Sequence, residues 1–216
     1  MKSAESTKIE SLEAKMKELE AKVITQDDIE QIEKLQRIYG YYLDNNLAQE
    51  IVDLFSESTE SIEIANRGVY LGKAGVKKFF LLNQSAPRPP WVMGRHLQLQ
   101  GIVNVDPGNM TAKGRWQCLF MSASDFNTPH VPTAYWGYGV YENEYIKENN
   151  KWLFKKMNFN RIFFTPYQDG WAKTPDIRPN SIEFDPTKPD LPPTAYHPYP
   201  DAFVVPFHYK HPITGK

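Results

Sequence analysis

The second half of the sequence contains four long segments in which apolar and polar residues alternate, and this feature constrains the fold most strongly. The segments cover residues 95–105, 111–122, 135–146 and 152–164. Two of the three connections are short and rich in turn residues, at Asp106–Asn109 and Lys147–Asn150, whereas the third, Ala123–Thr133, is longer. Long consecutive strands joined by tight turns predict an antiparallel meander, which curves strongly if it wraps around the segments that precede it.

The first 24 residues carry a heptad pattern. Its apolar positions alternate at spacings of three and four, with Lys and Glu in most of the others: Ile9, Leu12, Met16, Leu19 and Val23. The pattern predicts an amphipathic helix, but it covers only about two and a half heptads, fewer than the three or four that favour an autonomous coiled coil. We therefore expect this helix to pack either on its own domain or on a partner subunit.

Residues 25–83 are predicted to form helices and a short hairpin in front of the sheet. The segment Thr25–Asp28 has the composition of an N-cap with an acidic first turn, which predicts that a new helix begins there. A second helix is predicted from Leu47 to Phe55, a hairpin over 61–71, and a third helix after Gly72. The proline-rich segment Ser85–Pro90 is predicted to be a loop.

The last fifty residues combine many prolines with many aromatic residues. Prolines exclude a regular helix or a central strand, but the apolar side chains, among them Trp171, Phe184 and Tyr196, are too numerous for a disordered tail. We expect an extended arm that lies over the domain or over a neighbouring subunit. The predicted organisation is a helix over 1–24, a domain over 25–165 and an arm over 166–216.

The composition excludes several classes of protein. A net charge of −1 gives no electrostatic basis for binding nucleic acid or an anionic membrane. The single cysteine, Cys118, excludes an internal disulfide and a multi-thiolate metal site, and it is expected to be a buried structural thiol. No segment is long and apolar enough to span a membrane, and the charged N-terminus lacks a secretory h-region, so a cytoplasmic protein is expected. The histidines outside the candidate site show no metal-ligand spacing, so no metal is expected: His130, His197, His208 and His211.

Two separated stretches carry the candidate catalytic groups. The run Ile38–Leu47 is predicted to end a helix whose inner face delivers tyrosines and Asp44 to the interior, and His96 lies near the start of a strand. A carboxylate and an imidazole brought together in an apolar pocket form a general base that needs no metal or cofactor. The alternative for Asp44 is that it caps the following helix or forms an Asx-turn with Asn46.

The order of these segments resembles the nuclear transport factor 2-like superfamily, and within it the SnoaL-like proteins. The resemblance covers roughly residues 8–164 and is carried by these segments: Ile32–Leu35, Tyr41–Asp44, Ile51–Phe55, Gly68–Gly72, Arg95–His96, Gly137–Tyr138 and Trp152–Phe154. It implies a cone-shaped α+β fold in which a curved antiparallel sheet wraps around N-terminal helices. It also implies a homodimer or homotrimer that binds a small hydrophobic ligand.

The resemblance further implies site residues, because several cofactor-independent enzymes of the superfamily pair an Asp on the first fold helix with a His on the sheet. Asp44 and His96 match those places, Tyr39 matches a tyrosine five positions before the Asp, and Arg161 matches an arginine on the last strand. These four are the predicted catalytic residues. Six aromatic residues are the predicted cavity walls: Trp91, Trp116, Phe120, Tyr135, Trp136 and Tyr138.

These predictions favour a cofactor-independent lyase or dehydratase that acts on a small hydrophobic, cyclic or aromatic substrate. A more specific form is a carbon–carbon lyase that releases formaldehyde from lignin-derived diaryl compounds, as other lyases of this fold and of comparable length do. One alternative is a non-catalytic small-molecule binding protein that uses the same cavity. Another is an assembly module whose working surfaces are the N-terminal helix and the C-terminal arm.

Overall fold

The computed structural model describes residues 4–83, 91–124, 131–174, 176 and 188–216 of the 216-residue chain. Three parts of the predictions lie outside these residues: the Ser85–Pro90 loop, the part of the Ala123–Thr133 connection that holds His130, and Phe184 of the arm. Within the described ranges, no helix combines the length and the apolar character needed to cross a bilayer.

The helices and the short hairpin come first and the long strands follow, as predicted. The described elements are α1 (Ala4–Asp44), α2 (Ala48–Asp53), β1 (Ser61–Ile64), β2 (Val69–Leu71), α3 (Gly72–Asn83), β3 (Met93–Val105), β4 (Thr111–Ser124), β5 (Thr133–Glu148) and β6 (Lys151–Pro166). The strands form one six-stranded sheet in the order β2-β1-β6-β5-β4-β3. Neighbours are antiparallel except β1 and β6, which are parallel. The α+β fold with a curved, mainly antiparallel sheet is confirmed.

The tight turns fix the register of the meander. Asn149 and Asn150 both have positive φ, at 49° and 62°, the combination that a two-residue turn of type I′ requires. Such a turn matches the right-handed twist of β5 and β6, which it joins into an antiparallel hairpin. The turn chemistry at Lys147–Asn150 therefore predicts this hairpin correctly.

The helix prediction is wrong at one point, because α1 is a single helix of 41 residues with no new start at Thr25–Asp28. The Thr25 hydroxyl donates to the carbonyl oxygen of Ala21 at 3.0 Å, a bond within a continuous helix. The Asp28 carboxylate is buried and accepts hydrogen bonds from Lys147 Nζ at 2.6 Å and Trp152 Nε1 at 2.8 Å. Asp28 therefore anchors the helix to the β5–β6 hairpin. These tertiary partners, and not a helix N-terminus, account for an acidic residue at this position.

The core lies between the inner face of the sheet and the three helices. Tyr39 of α1 lies at its centre and packs edge-to-face on Phe80 of α3, Tyr141 of β5 and Phe154 of β6. Inner-face glycines make room for large rings; a Cβ at Gly101, for example, would lie 2.1 Å from the Trp116 ring. The taper of the cone therefore depends on pairing small residues with large ones across the sheet.

The described part of the C-terminal arm packs on its own domain. Leu191 pairs with Val69 at the β2 edge, where the Val69 amide donates to the Leu191 carbonyl at 2.9 Å. The Tyr199 amide donates to the Ile162 carbonyl of β6 at 2.7 Å. Farther along, the buried side chain of Val205 lies where the arm crosses the outer face of β4 and β5. The arm thus follows the outside of the sheet from β2 towards β3.

Candidate active site

Asp44 and His96 meet at the junction of α1 and β3. One carboxylate oxygen, Asp44 Oδ1, accepts a hydrogen bond from the backbone N–H of His96 at 2.8 Å and lies 2.9 Å from the ring Nδ1 of the same residue. Because an ionised carboxylate can only accept, this contact favours the tautomer with hydrogen on Nδ1 and leaves the Nε2 lone pair available. The two side chains are 13% and 23% exposed, so the pair is shielded but reachable by a small molecule.

The alternative role of Asp44 as a cap of the following helix is not what the structure shows. The N-cap of α2 is Leu47, and no side chain makes a capping hydrogen bond there. The carboxylate of Asp44 is directed to β3 instead. The backbone contact is informative, because the Asp44 side chain binds His96 through both its main chain and its ring, which restricts the position and the rotation of the imidazole.

Gly40 allows α1 to approach β3 closely enough for this contact. A Cβ at Gly40 would lie 2.9 Å from Cγ of Gln98 and 3.2 Å from the carbonyl oxygen of His96. Gly40 lies one helical turn before Asp44, so the spacing between helix and strand at Gly40 also sets the reach of the carboxylate. A glycine inside a helical pattern is the signal that could have identified this residue.

An aromatic stack on the inner face of the sheet covers one face of the His96 imidazole. Phe120 of β4 lies parallel to the imidazole, with ring centroids 5.5 Å apart and planes 16° apart. Phe164 stacks on Phe120 at 5.4 Å, and Tyr135 stacks on Phe164 at 5.4 Å. Gly137 permits this arrangement, because a Cβ there would lie 2.2 Å from the Phe120 ring. Two of the six predicted wall residues, Phe120 and Tyr135, therefore belong to one stack with His96.

A cleft of about 450 Å³ lies beside the pair, along the free edge of β3. Its lining combines apolar, basic and dyad side chains: Arg37, Tyr41, Asp44, His96, Leu97 and Met121. Leu97 and Met121 lie on the face of the sheet opposite the His96 ring, because side chains alternate along a strand. The cleft therefore straddles the sheet edge and reaches the dyad at the contact between α1 and β3.

A buried polar network lies behind the dyad. Gln98 accepts a hydrogen bond from Gln36 Nε2 at 2.8 Å and lies 3.9 Å from the Cys118 sulfur. Tyr39 and Tyr141 are hydrogen-bonded to each other, and burial raises the pKa of both phenols well above their usual value. The structure thus places Tyr39 in the core, connected through Tyr141 and Gln98 to the strand that carries His96, and not in the cleft.

Cys118 is buried, as expected. Burial is the main reason that its pKa rises to about 12, and the nearby negative charge of Asp44 adds to the shift. The thiol is therefore neutral at physiological pH and behaves as a small apolar group with a weak hydrogen-bonding capacity.

Arg161 points into the protein, in the same inward alternation as Met157 and Phe159. Tyr138 pairs with Phe163 and Gly139 pairs with Arg161, so the next residue, Ile162, is an extra residue that shifts the alternation only beyond Arg161. The guanidinium binds Asp176 of the arm through Nε at 2.9 Å and a second nitrogen at 3.2 Å, and it also donates to Asn66 Oδ1 at 3.1 Å. Arg161 and Asp176 are almost completely buried. The arm thus supplies the counter-charge of Arg161, and the contacts described for Arg161 do not include His96.

The remaining predicted wall residues lie away from the dyad. Trp116 is on the inner face but four residues along β4 from Phe120, about 13 Å at 3.3 Å per residue, and its Nε1 donates to Tyr145 at 2.9 Å. Trp136 and Tyr138 lie on the outer face, where Trp136 packs on Trp171 of the arm at 4.8 Å and Tyr138 packs on Phe163. The structure therefore does not bring these three residues together with His96. Trp116 lies too far along β4, and Trp136 and Tyr138 lie on the opposite face of the sheet. Trp91 is exposed in the turn before β3.

Three residues near the dyad were not predicted as site residues. Gln98 shares the inner face of β3 with His96, and Arg95 and Arg37 line the cleft, the latter in an ion pair with Glu33 at 2.7 Å. The spacing of two residues from His96 could have identified Gln98. Among the residues that the structure describes, no group of three His, Cys, Asp or Glu side chains is placed to hold a metal ion.

Comparisons with solved structures show the fold. A candidate scytalone dehydratase from Novosphingobium aromaticivorans DSM 12444 superposes with a TM-score of 0.55 at 19% identity, covering 66% of this chain and 89% of that one. A candidate aromatic ring hydroxylase from Novosphingobium aromaticivorans gives a TM-score of 0.54 at 18% identity, covering 66% and 95%. LinA gives 0.52 at 15% identity, covering 67% and 90%. At these identities the likeness is one of fold.

Comparison of the sequence with proteins of curated function gives no match. The sequence profile of the SnoaL-like domain matches residues 25–158, which include α2, α3, most of the sheet and the half of α1 that carries Asp44. The arm beyond residue 166 lies outside the matched segment. Because the match covers more than half of the sequence, the chain belongs to the SnoaL-like domain family.

Proposed function

We propose that this protein is a cofactor-independent lyase or dehydratase in which His96 is the general base and Asp44 orients it. The observation that carries the proposal is the double contact of Asp44 Oδ1 with the His96 backbone N–H and with ring Nδ1. That contact presents Nε2 as the proton acceptor and stabilises the imidazolium that forms when Nε2 takes a proton. Proton transfer of this kind needs no further group.

The proposed elimination is balanced by the same residue. His96 Nε2 removes a proton from a carbon beside a carbonyl, the C–H electron pair becomes the new C=C bond, and the C–O bond to the leaving hydroxyl breaks. The imidazolium returns its proton to that hydroxyl, which leaves as water. In the carbon–carbon lyase form, His96 takes the proton of a hydroxymethyl group, formaldehyde forms as the C–C bond breaks, and the resulting carbanion receives the proton.

The proposed substrate is a small hydrophobic molecule with a cyclic or aromatic body. Tyr41, Leu97 and Met121 supply apolar surface in the cleft beside the dyad, and the Arg37 side chain, which is paired with Glu33, lies at its wall. Arg161 is bound by Asp176, so in this proposal it organises the arm, and Tyr39 supports β3 through Tyr141. The charge that develops on the substrate oxygen is met by His96 in its protonated form.

A non-catalytic binding protein is the second candidate from the sequence. That function is favoured by an Asp and a His that point apart, whereas the 2.9 Å contact favours the enzyme. A turnover assay with two panels of compounds separates the enzyme from the binding protein. Cyclic β-hydroxy ketones test for dehydration, which is measured by the absorbance of the conjugated product. Diaryl 1,3-diols test for carbon–carbon cleavage, which is measured by colorimetric detection of formaldehyde.

The wild type is expected to turn over at least one class, and His96→Gln is expected to lower kcat by about 10²–10⁴, the usual contribution of a general base. The matched control is His197→Gln, which changes an exposed histidine of the arm and is expected to leave kcat unchanged. Binding of panel compounds without turnover supports the binding protein and contradicts the enzyme. Turnover that survives His96→Gln contradicts the assignment of the base.

A further inference from the structure

The N-terminal half of α1 exposes its entire apolar seam. The five seam residues are between 52% and 67% exposed: Ile9, Leu12, Met16, Leu19 and Val23. Exposed apolar residues that recur in heptad register along one helix face mark an interaction surface rather than scattered surface residues. The seam therefore requires a partner surface that covers it.

The direction of the seam excludes the chain's own core as its partner. Ile32, which is fully buried in the core, lies nine residues from Val23, about two and a half turns, and so points to the opposite side of the helix. Tyr41 lies 18 residues from Val23, about five turns, and so points to the same side. Tyr41 is 71% exposed. The face that α1 buries in its own domain is therefore opposite to the seam.

The charges beside the seam identify the partner and its orientation. With Ile9 at heptad position a, the e positions are acidic at Glu13, Glu20 and Asp27, and the g positions are basic at Lys8, Lys15 and Lys22. In a parallel pair, each g residue faces the e residue five positions later on the partner, so every Lys faces an acid. In an antiparallel pair, g faces g and e faces e, so every flanking contact is between like charges.

The seam residues also favour two strands. Both β-branched residues of the seam, Ile9 and Val23, occupy position a, and Leu12 and Leu19 occupy position d, which is the combination of parallel two-stranded coiled coils. We propose that the partner is a second copy of this chain and that residues 8–27 of two copies form a parallel, in-register coiled coil. The pairing places both SnoaL-like domains at the same end of the coiled coil.

The test uses the full chain and light scattering with size-exclusion chromatography over a dilution series. The wild type is expected at about 50 kDa, twice the 25.0 kDa of one chain. Glu13→Lys with Glu20→Lys turns four attractive contacts of the dimer into repulsive ones and is expected to weaken the dimer about tenfold or more. The matched control is Glu10→Lys with Glu18→Lys, which adds the same charge at positions b and c on the far side of the helix and is expected to leave the mass unchanged.

Orientation is tested by disulfide formation from single cysteines. Ile9→Cys is expected to form a cross-linked dimer by itself under mild oxidation, because parallel pairing places the two Ile9 residues side by side, while native Cys118 is buried. Far-UV circular dichroism checks that each variant keeps its fold. A monomeric or trimeric wild type, an unaffected Glu13/Glu20 variant, an equally weakened control, or an Ile9→Cys variant that forms no cross-linked dimer by itself each overturns the proposal.

Discussion

Replacing Asp44 tests the geometry of the dyad without knowledge of a substrate. In Asp44→Ala, the backbone N–H and the ring Nδ1 of His96 lose their common acceptor. A hydrogen bond to a charged group contributes about 1.5–3 kcal/mol. Because Asp44 and His96 remain partly exposed, water replaces part of this, and we expect a loss of about 2–3 kcal/mol in the free energy of unfolding. For a chain of this length that corresponds to a Tm lower by about 4–12 °C.

Asp44→Asn separates charge from hydrogen bonding. Its amide oxygen can still accept from the His96 backbone N–H, so about 1 kcal/mol of destabilisation is expected, which corresponds to one neutral hydrogen bond. The exposed Asp53 serves as the control, because its carboxylate accepts only from Gln49 within α2 among the contacts described. Asp53→Ala is expected to change the free energy of unfolding by about 0.5 kcal/mol or less.

The assay combines urea unfolding with ¹⁵N NMR of the imidazole nitrogens. The His96 signals are assigned as those absent from His96→Gln. The wild type is expected to carry its hydrogen on Nδ1 when the ring is neutral, and Asp44→Ala is expected to lose that preference. The reasoning is refuted if the tautomer is the same in wild type and Asp44→Ala, or if Asp44→Ala is no less stable than Asp53→Ala.

Two further predictions concern the interior. Asp176→Ala leaves the buried Arg161 guanidinium without its carboxylate, and thermal unfolding is expected to show a loss of about 3–5 kcal/mol in the free energy of unfolding. The control, Glu60→Ala, breaks an exposed pair with Lys155 and is expected to cost less than about 1 kcal/mol. Equal losses would contradict the anchoring role of Arg161. Burial raises the pKa of Cys118 from 9.0 to about 12, so the folded thiol at pH 8 holds about a thousandfold less thiolate than the unfolded one and is expected to react with iodoacetamide only after unfolding. Because the pKa of Cys118 is higher in the folded state than in the unfolded one, the contribution of this thiol to the free energy of unfolding is complete below about pH 9. That contribution is lost as the pH rises towards 12.

The sheet could be predicted from the sequence because its signals are local. Alternation identifies β3 to β6 from residues two apart, and Asn149–Asn150 supplies the backbone conformation that joins β5 to β6. The break predicted at Thr25–Asp28 is wrong for the opposite reason. Asp28 has the chemistry of a helix cap, but its partners Lys147 and Trp152 lie more than a hundred residues away, and no local pattern indicates them.

The candidate site could be predicted only where a family motif named the residues. His96 and Asp44 came from that motif, and the structure brings them into contact. The direction of Arg161 depends on an earlier irregularity of β6, because Glu144 pairs with Lys156 and Tyr145 pairs with Phe154, which leaves Lys155 as an extra residue. No turn residue in the sequence indicates it. The position of Trp136 depends on which face of β5 is turned inward, and in a segment so rich in aromatic residues both faces look apolar. Alternation therefore indicated that a strand is present without indicating which of its faces lies beside His96.

The dyad is held from two independent elements, and this bears on its capacity for chemistry. Asp44 fixes His96 from α1 through two hydrogen bonds, while Phe120 covers the face of the imidazole from β4. Both contacts depend on glycine, at Gly40 for the approach of the helix and at Gly137 for the Phe120 ring. A base that is already oriented loses little conformational entropy when a substrate binds, so less of the binding free energy is spent on ordering the base before proton transfer. In the proposed mechanism, the fold itself therefore orients the base, and the substrate brings its acidic proton to Nε2.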